Sequence, residues 1–518
     1  MRFIKNIFII LWICFVSNAF AQKIDVDIKW GQEMKDGNED VWWLAGQDAD
    51  NAYVLKTKEW GFFTRKEIKL SLEVFSNKTL ALKSKTEINF KGNQLKGGSL
   101  LHNYNLNDKF LIIFSDYDPK ADKNTLYAQY ITKKGIAEPK YMELDYVLSN
   151  TKSDAGSFDV HLSRDSTKII VMHNEKYKRN EPEKFSLRVF DTNLNLLWNR
   201  SITLPFKDKS ILLSNIVGDE KGNVYVLAQY TPVKGEKDKG DAEYYYKIMA
   251  FSENIKEYTE FDIDLDKNYI EDITFDIDKQ GNLVCAGFYK KNYFTEVSDG
   301  FFFVKIDGNT KQAITKSLNK IVDLYPRKSA NPEKVKAKDR ISYRIYEIIP
   351  KADGSYIVMG EQYMFYVLVY YDAKGNRRVE YHYIYNNIVA IKLKPDGMIE
   401  WVNRIPKRQH TVNDGGRHSG FLWGECKGKM FIIYNDDKDN VMQYDETKIE
   451  TMKNVKRSVS MLHIIDEKGV AGKQMLFKNK ELETWLRPKV FLRDAIENQF
   501  LILGETGRSY RIGQMIVK

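Results

Sequence analysis

Short apolar runs separated by one recurring kind of polar turn set the pattern of this chain. Val224-Tyr-Val-Leu-Ala follows Asp219-Glu-Lys-Gly-Asn223, Leu283-Val-Cys-Ala-Gly follows Asp278-Lys-Gln-Gly-Asn282, and Tyr356-Ile-Val-Met-Gly follows Ala352-Asp-Gly-Ser355. Asp, Gly and Asn between β-branched and aromatic residues predict hairpins. A second set of turns, at Asp191-Thr-Asn193, Asp307-Gly-Asn309, Pro395-Asp-Gly397 and Asp466-Glu-Lys-Gly469, precedes further strand-like runs. Asp219 and Asp278 lie 59 residues apart, and Asp191 and Asp307 lie 116 apart, or two such steps. Four short strands every ~50 to 60 residues is the period of a β-propeller blade.

The expectation is therefore an all-β chain forming a single propeller of eight four-stranded blades, with seven allowed if the first unit is irregular. Units run over residues 41–90 and 97–144, then start near Ser157, Ile211, Tyr269, Ile341 and His418. The last unit, 488–518, offers only three strands. Ile24, Val26, Ile28 and Trp30 alternate with polar residues at strand period, so this segment is expected to supply the missing strand and close the ring. Connections of one class are tight. Those of the other class carry the insertions, at 116–124, 174–184, 231–243, 319–340, 407–418 and 435–458. Long loops on one rim of a rigid scaffold are where recognition is expected.

The N-terminus narrows the compartment. Arg2 and Lys5 precede an apolar run over 7–16, and Ala19-Phe-Ala21 resembles a cleavage site, so residues 1–21 read as a signal peptide and 22–518 as the propeller domain. The run is too short for the ~20 residues of a membrane helix, and no later segment is long and apolar enough. Cys14 follows Trp12 and Ile13 rather than a small residue, which disfavours a lipid anchor. Cys285 and Cys426 remain, too few for a disulfide framework, and each reads as a small buried hydrophobe. The net charge of +9 falls to +7 without Arg2 and Lys5 and is evenly mixed, which excludes the one-signed stripe of a nucleic-acid binder.

Candidate chemistry is sparse. Asp276-Ile-Asp278-Lys-Gln-Gly-Asn282 starts like a calcium loop, but Phe288 stands where the bidentate Glu is required, so a plain turn is expected. Asn435-Asp-Asp-Lys-Asp-Asn440 crowds carboxylates and amides into one loop, and whether it holds a cation is left open. The strongest cluster is the inter-blade loop bearing Lys407, Arg408, His410, Asp414, Arg417 and His418. Arg417 could pair with an anionic group and a His could move a proton; the alternative is a loop pinned by its own hydrogen bonds around Gly415 and Gly416. The seven histidines show no metal-ligand spacing, and no nucleophile elbow, phosphate loop or dinucleotide fingerprint occurs. Residues 362–387 are expected to form an extra aromatic hairpin projecting from the sixth blade. Tyr366, Tyr370, Tyr383 and Tyr385 would then contact a partner, or the ribbon would fold across the ring's own rim. The Lys-rich stretch 327–340 reads as a solvated loop, with electrostatic docking to an acidic partner as the alternative.

The strand–turn–strand units, with outer runs such as Leu196-Leu-Trp198 and Ile399-Glu-Trp401, resemble exported bacterial β-propeller proteins of the quinoprotein-like repeat type. The resemblance covers nearly the whole chain after residue 21 and implies fold only. The cofactor-binding acids, Arg and stacked tryptophans of quinoprotein enzymes are not identified here, so no cofactor is expected. The functional expectation is a non-enzymatic module that binds a protein partner in the cell envelope, in the periplasm or at the cell surface. The alternative is a carbohydrate-active or other enzyme in the central funnel; a small ligand or glycan is also allowed.

Overall fold

Each Asp-x-x-Gly-Asn turn closes on its own aspartate. Asp219 accepts from the backbone N–H of Lys221 and Asn223 at 2.9 and 2.8 Å and from the Asn223 side-chain amide at 2.7 Å. Asp278 repeats the pattern with Gln280 and Asn282. Gly222 and Gly281 stand at φ +84° and +82°, which side-chain-bearing residues avoid. The carboxylates are occupied by turn N–H groups, so these segments are punctuation between strands.

The computed structural model describes residues 26–518 apart from 38, 61–66, 90–94, 97, 150–155, 233–242, 295–297, 321–340, 372, 444 and 497. The signal-peptide segment, Ile24, the stretch 327–340 and most of the expected insertions at 231–243 and 319–340 lie outside the described residues. No helix among the described residues is long and apolar enough to cross a membrane.

Strands assemble into eight antiparallel sheets, each built on a four-strand meander; a short fifth strand joins three of them, and in all but the last the four strands follow sequence order. Blades one to seven begin with Asp40–Gln47, Ser99–Leu106, Ser157–Leu162, Ile211–Gly218, Tyr269–Ile277, Tyr343–Pro350 and Leu422–Cys426. Blade eight takes Trp485–Ile496, Gln499–Thr506 and Ser509–Val517 from the C-terminus and Val26–Trp30 from the N-terminus. Val26 pairs with Val517 and Trp30 with Gly513, so the expected closing strand is in place.

Packing between blades decides between a ring and an open array. Eight apolar clusters join each blade to the next. The last joins Val41, Leu44, Val54 and Phe75 of blade one to Leu501, Leu503, Tyr510 and Ile512 of blade eight. An open row of eight blades would have seven such interfaces, so the fold is a closed eight-bladed β-propeller. Fully buried Cys285 lies in the interface of blades four and five, where burial pushes its thiol up.

First strands of neighbouring blades touch one another around most of the ring and so line the axis. In a four-strand meander, the connections between second and third strands and those between blades share one rim. Two expected features differ in detail. Asp118 pairs with Lys123, so 116–124 is a tight turn flanked by lengthened strands. Residues 362–387 are not a separate hairpin: the second and third strands of blade six simply continue, as Tyr356–Tyr371 and Arg377–Leu393. No turn residue interrupts the apolar run at Gln362, so the ladder extends outward past the rim after one bulge between Glu361 and Tyr363.

Candidate functional site

Extension of these two strands creates a ribbon with two faces. Pairing of Phe365 with Tyr383, Val367 with Tyr381 and Val369 with Val379 gives an apolar face. The opposite face carries Met364, Tyr366, Leu368 and Tyr370 against Ile384, His382, Glu380 and Arg378. Every side chain from Met364 to Tyr371 is 37–71% exposed. Tyr366 stacks on His382 at 4.5 Å, and the Tyr370 hydroxyl donates to Glu380 at 2.8 Å. Tyr383 is half-buried beside Phe365. Tyr385 is only 6% exposed, held at the ribbon's base by Lys489, whose ammonium donates to its hydroxyl at 2.6 Å. The base of the ribbon thus folds into the rim, and the distal half stands clear of it.

The inter-blade loop after blade six does not gather its charged residues around one point. Gln409–Val412 pairs with 382–385 and becomes a third strand of the ribbon. Lys407 turns inward, fully buried, and its Nζ lies 2.5 Å from Glu361 and 3.1 Å from the Tyr385 carbonyl. Burial holds the Lys407 ammonium below its ordinary range against the pull of Glu361. Arg408 anchors the loop through its carbonyl, which accepts from Met452 N–H at 2.8 Å. His410 lies 3.0 Å from His382, nitrogen to nitrogen, and burial together with that neighbour depresses its pKa. Asp414 accepts from the Thr411 hydroxyl and the Gly416 N–H. Arg417 crosses to the ring seam, donating to Asp40 at 2.9 and 2.5 Å and to Glu505 at 2.6 Å. His418 sits edge-on to Trp485 with Nδ1 3.2 Å from the Leu486 carbonyl. The acidic loop is likewise turned on itself, since Asp436 accepts from Asn440 at 2.7 Å and Asp437 caps the turn at Asp439. Among the described residues, no group of three His, Cys, Asp or Glu side chains is placed to hold a metal ion.

Sequence reasoning missed the cleft at the base of the ribbon. It encloses about 430 Å³ at the long-loop end of the axial channel, lined by Arg344, Tyr346, Glu361, Tyr363, Phe421, Trp423, Lys489 and Phe491. Glu361 accepts from the Tyr346 hydroxyl at 2.9 Å, and burial together with that carboxylate pushes the phenol up. Arg344 lies over the Tyr363 ring at 5.2 Å. The cleft can stack a flat or apolar group on aromatic walls while cations at its mouth face an anion. No local motif marks it, because its residues come from three blades and meet only at the axis.

No family model matches the sequence, and no curated protein matches it. Solved structures similar to it include the β-propeller domain of the Trilobed protease from Pyrococcus furiosus, at 11% identity and TM-score 0.32, covering 74% of this chain and 95% of that one. The acylaminoacyl peptidase of Pyrococcus horikoshii matches at 9% identity and TM-score 0.35 over 92% of this chain, which spans 57% of that one. The WD40 domain of SCAP from fission yeast matches at 8% identity and TM-score 0.36, covering 95% and 98%. The propeller assignment itself stands on the eight sheets and eight interfaces described above.

Proposed function

We propose that this chain is an exported, non-enzymatic β-propeller that binds a protein partner in the bacterial cell envelope through its long-loop rim. The signal-like N-terminus supports export. The observation that carries the binding reading is the ribbon: eight consecutive large apolar or aromatic side chains stand exposed beyond the rim. Soluble monomers rarely leave so contiguous a patch uncovered unless it is used. The loop cluster from Lys407 to His418 contributes by fixing the ribbon and the rim beneath it.

A second reading, a glycan or small ligand in the axial cleft, draws on the aromatic walls around Glu361 and Trp423. Acid–base chemistry there would need a second carboxylate or an imidazole. Among the described lining residues Glu361 is the one carboxylate, already held by Lys407 and Tyr346. That favours binding over catalysis.

The test is capture from native envelope extract with the purified protein, compared with Phe365→Ser/Tyr381→Ser on the apolar face. The expected result is one recurrent protein partner lost at least tenfold in the variant. Recovery of no partner, together with a clear glycan-array signal removed by Trp423→Ala, would replace the first reading with the second.

A further inference from the structure

We propose that the edge of the blade-six ribbon left unpaired among the described residues pairs with the same edge of a second copy of this chain, joining two propellers through one continuous antiparallel sheet. The inference is independent of the envelope-partner reading. It starts from an asymmetry in how the ribbon is covered. On one side, Gln409–Val412 pairs with the third strand of the blade. On the other, the first strand ends at Tyr343 opposite Gln362, and the last link is Tyr363 N–H to the Ser342 carbonyl at 3.4 Å. Among the described residues, the ladder of Met364–Val369 runs only to the third strand, leaving its outer side open.

Sheet edges of this kind are normally blunted by Lys, Pro or a bulge. None occurs between Met364 and Tyr371, and the single bulge lies below, at Glu361 and Tyr363. The segment carries no charge, so two copies can approach without like-charge repulsion.

The sequence of the edge selects the occupant. Tyr366-Val-Leu-Val-Tyr370 reads the same in both directions about Leu368. A two-fold axis through Leu368 therefore sets Leu368 against Leu368 of the second copy, Val367 against its Val369, Tyr366 against its Tyr370, and Phe365 against its Tyr371. Aromatic and β-branched cross-strand pairs are the stabilising ones in antiparallel sheets, and an isologous contact needs this self-complementarity. The apolar face of Phe365, Val367 and Val369 then continues across both copies.

Insertion into a bilayer is disfavoured by the order of polarity. The tip carries Lys374, Arg377 and Arg378, and the apolar residues lie behind it.

Sedimentation of the purified protein tests the proposal. The expected species is a discrete dimer at micromolar concentration, converted to monomer by Leu368→Lys, which sets two ammonium groups at the axis without touching the blade core. In a Cys426→Ser background, Leu368→Cys should oxidise to a covalent dimer, because residues paired across an antiparallel ladder lie ~5 Å apart, within disulfide reach. Tyr366→Cys should cross-link at least fivefold less, since its partner is Tyr370. A wild-type monomer at ~100 μM, an open-ended filament, a dimer indifferent to Leu368→Lys, or equal cross-linking at both positions would each overturn it.

Discussion

Aspartates in this chain fall into two physical classes. Those of the turns, such as Asp278, are pushed up by burial, but Lys305 and the Asn282 amide outweigh this and hold the carboxyl below its usual range. Asp436, next to last in the second strand of blade seven, Lys429–Asp437, is the opposite case. Burial dominates over the Asn440 hydrogen bond and over Lys407 and Lys473, and its pKa rises to about 7. In the unfolded chain it returns to the ordinary carboxylate value near 4. Below about pH 4 both states hold the proton and the stabilising contribution is complete. Between about pH 4 and 7 the unfolded chain ionises while the folded one stays protonated, so that contribution declines, and above 7 it is gone. Wild type should lose stability relative to Asp436→Asn, by a few kcal/mol, as pH rises from about 5 to about 8. Denaturant unfolding of both proteins at the two pH values measures this; parallel curves would show that Asp436 does not titrate in this window. The first class was legible in the sequence, because an Asp and the N–H groups it accepts lie within five residues. The second was not, because residues far along the chain bury Asp436.

Strands and their order were readable from turn spacing and alternation, including the N-terminal strand that completes blade eight. What the sequence did not show is how that strand is held. Trp30 lies flat over Gly504 and Gly513, whose absent side chains make room for the indole; a Cβ on either would come within 2.9 Å of it. Phe477 of blade seven meets the ring edge-on at 5.7 Å. Trp30→Ala should cost ~2–4 kcal/mol and free the strand without unfolding the other blades. Hydrogen exchange should then speed selectively in Ser509–Val517, the strand it pairs with. Uniform acceleration across all blades would mean that ring closure and blade integrity are inseparable. The ribbon shows the limit of the same reasoning. Its two strands were legible as apolar alternation, but their continuity with the blade depended on Gln362 acting as a ladder residue rather than a turn, and nearby sequence does not settle that.

At the scale of the molecule, the seam is secured by residues remote from one another. Arg417, on the loop between blades six and seven, reaches over blade eight to Asp40 of blade one, 377 positions away, and to Glu505. Arg487 joins the same carboxylates. Burial pushes Asp40 up, but Arg417 outweighs it and the carboxyl stays below its ordinary range. The Asp40 share of stability is accordingly present above about pH 4 and is lost as pH falls through the depressed value. Arg417→Ala should destabilise by ~1–3 kcal/mol, a buried-pair cost discounted for partial exposure, and the difference should shrink in high salt. A variant with unchanged unfolding at low salt would show that the apolar interface of blades eight and one closes the ring unaided. The sequence by itself determined the strands, the turns, the repeat period and the closing segment, and left eight blades or seven. Each depends on hydrogen bonding and alternation within a few residues, or on a period that repeats. Only the tertiary structure decided that Lys407 is buried against Glu361, that Arg417 serves the seam, and that an aromatic cleft opens at the axis. Those outcomes depend on where a curved ring brings together side chains from separate blades, and no spacing along the chain encodes such meetings.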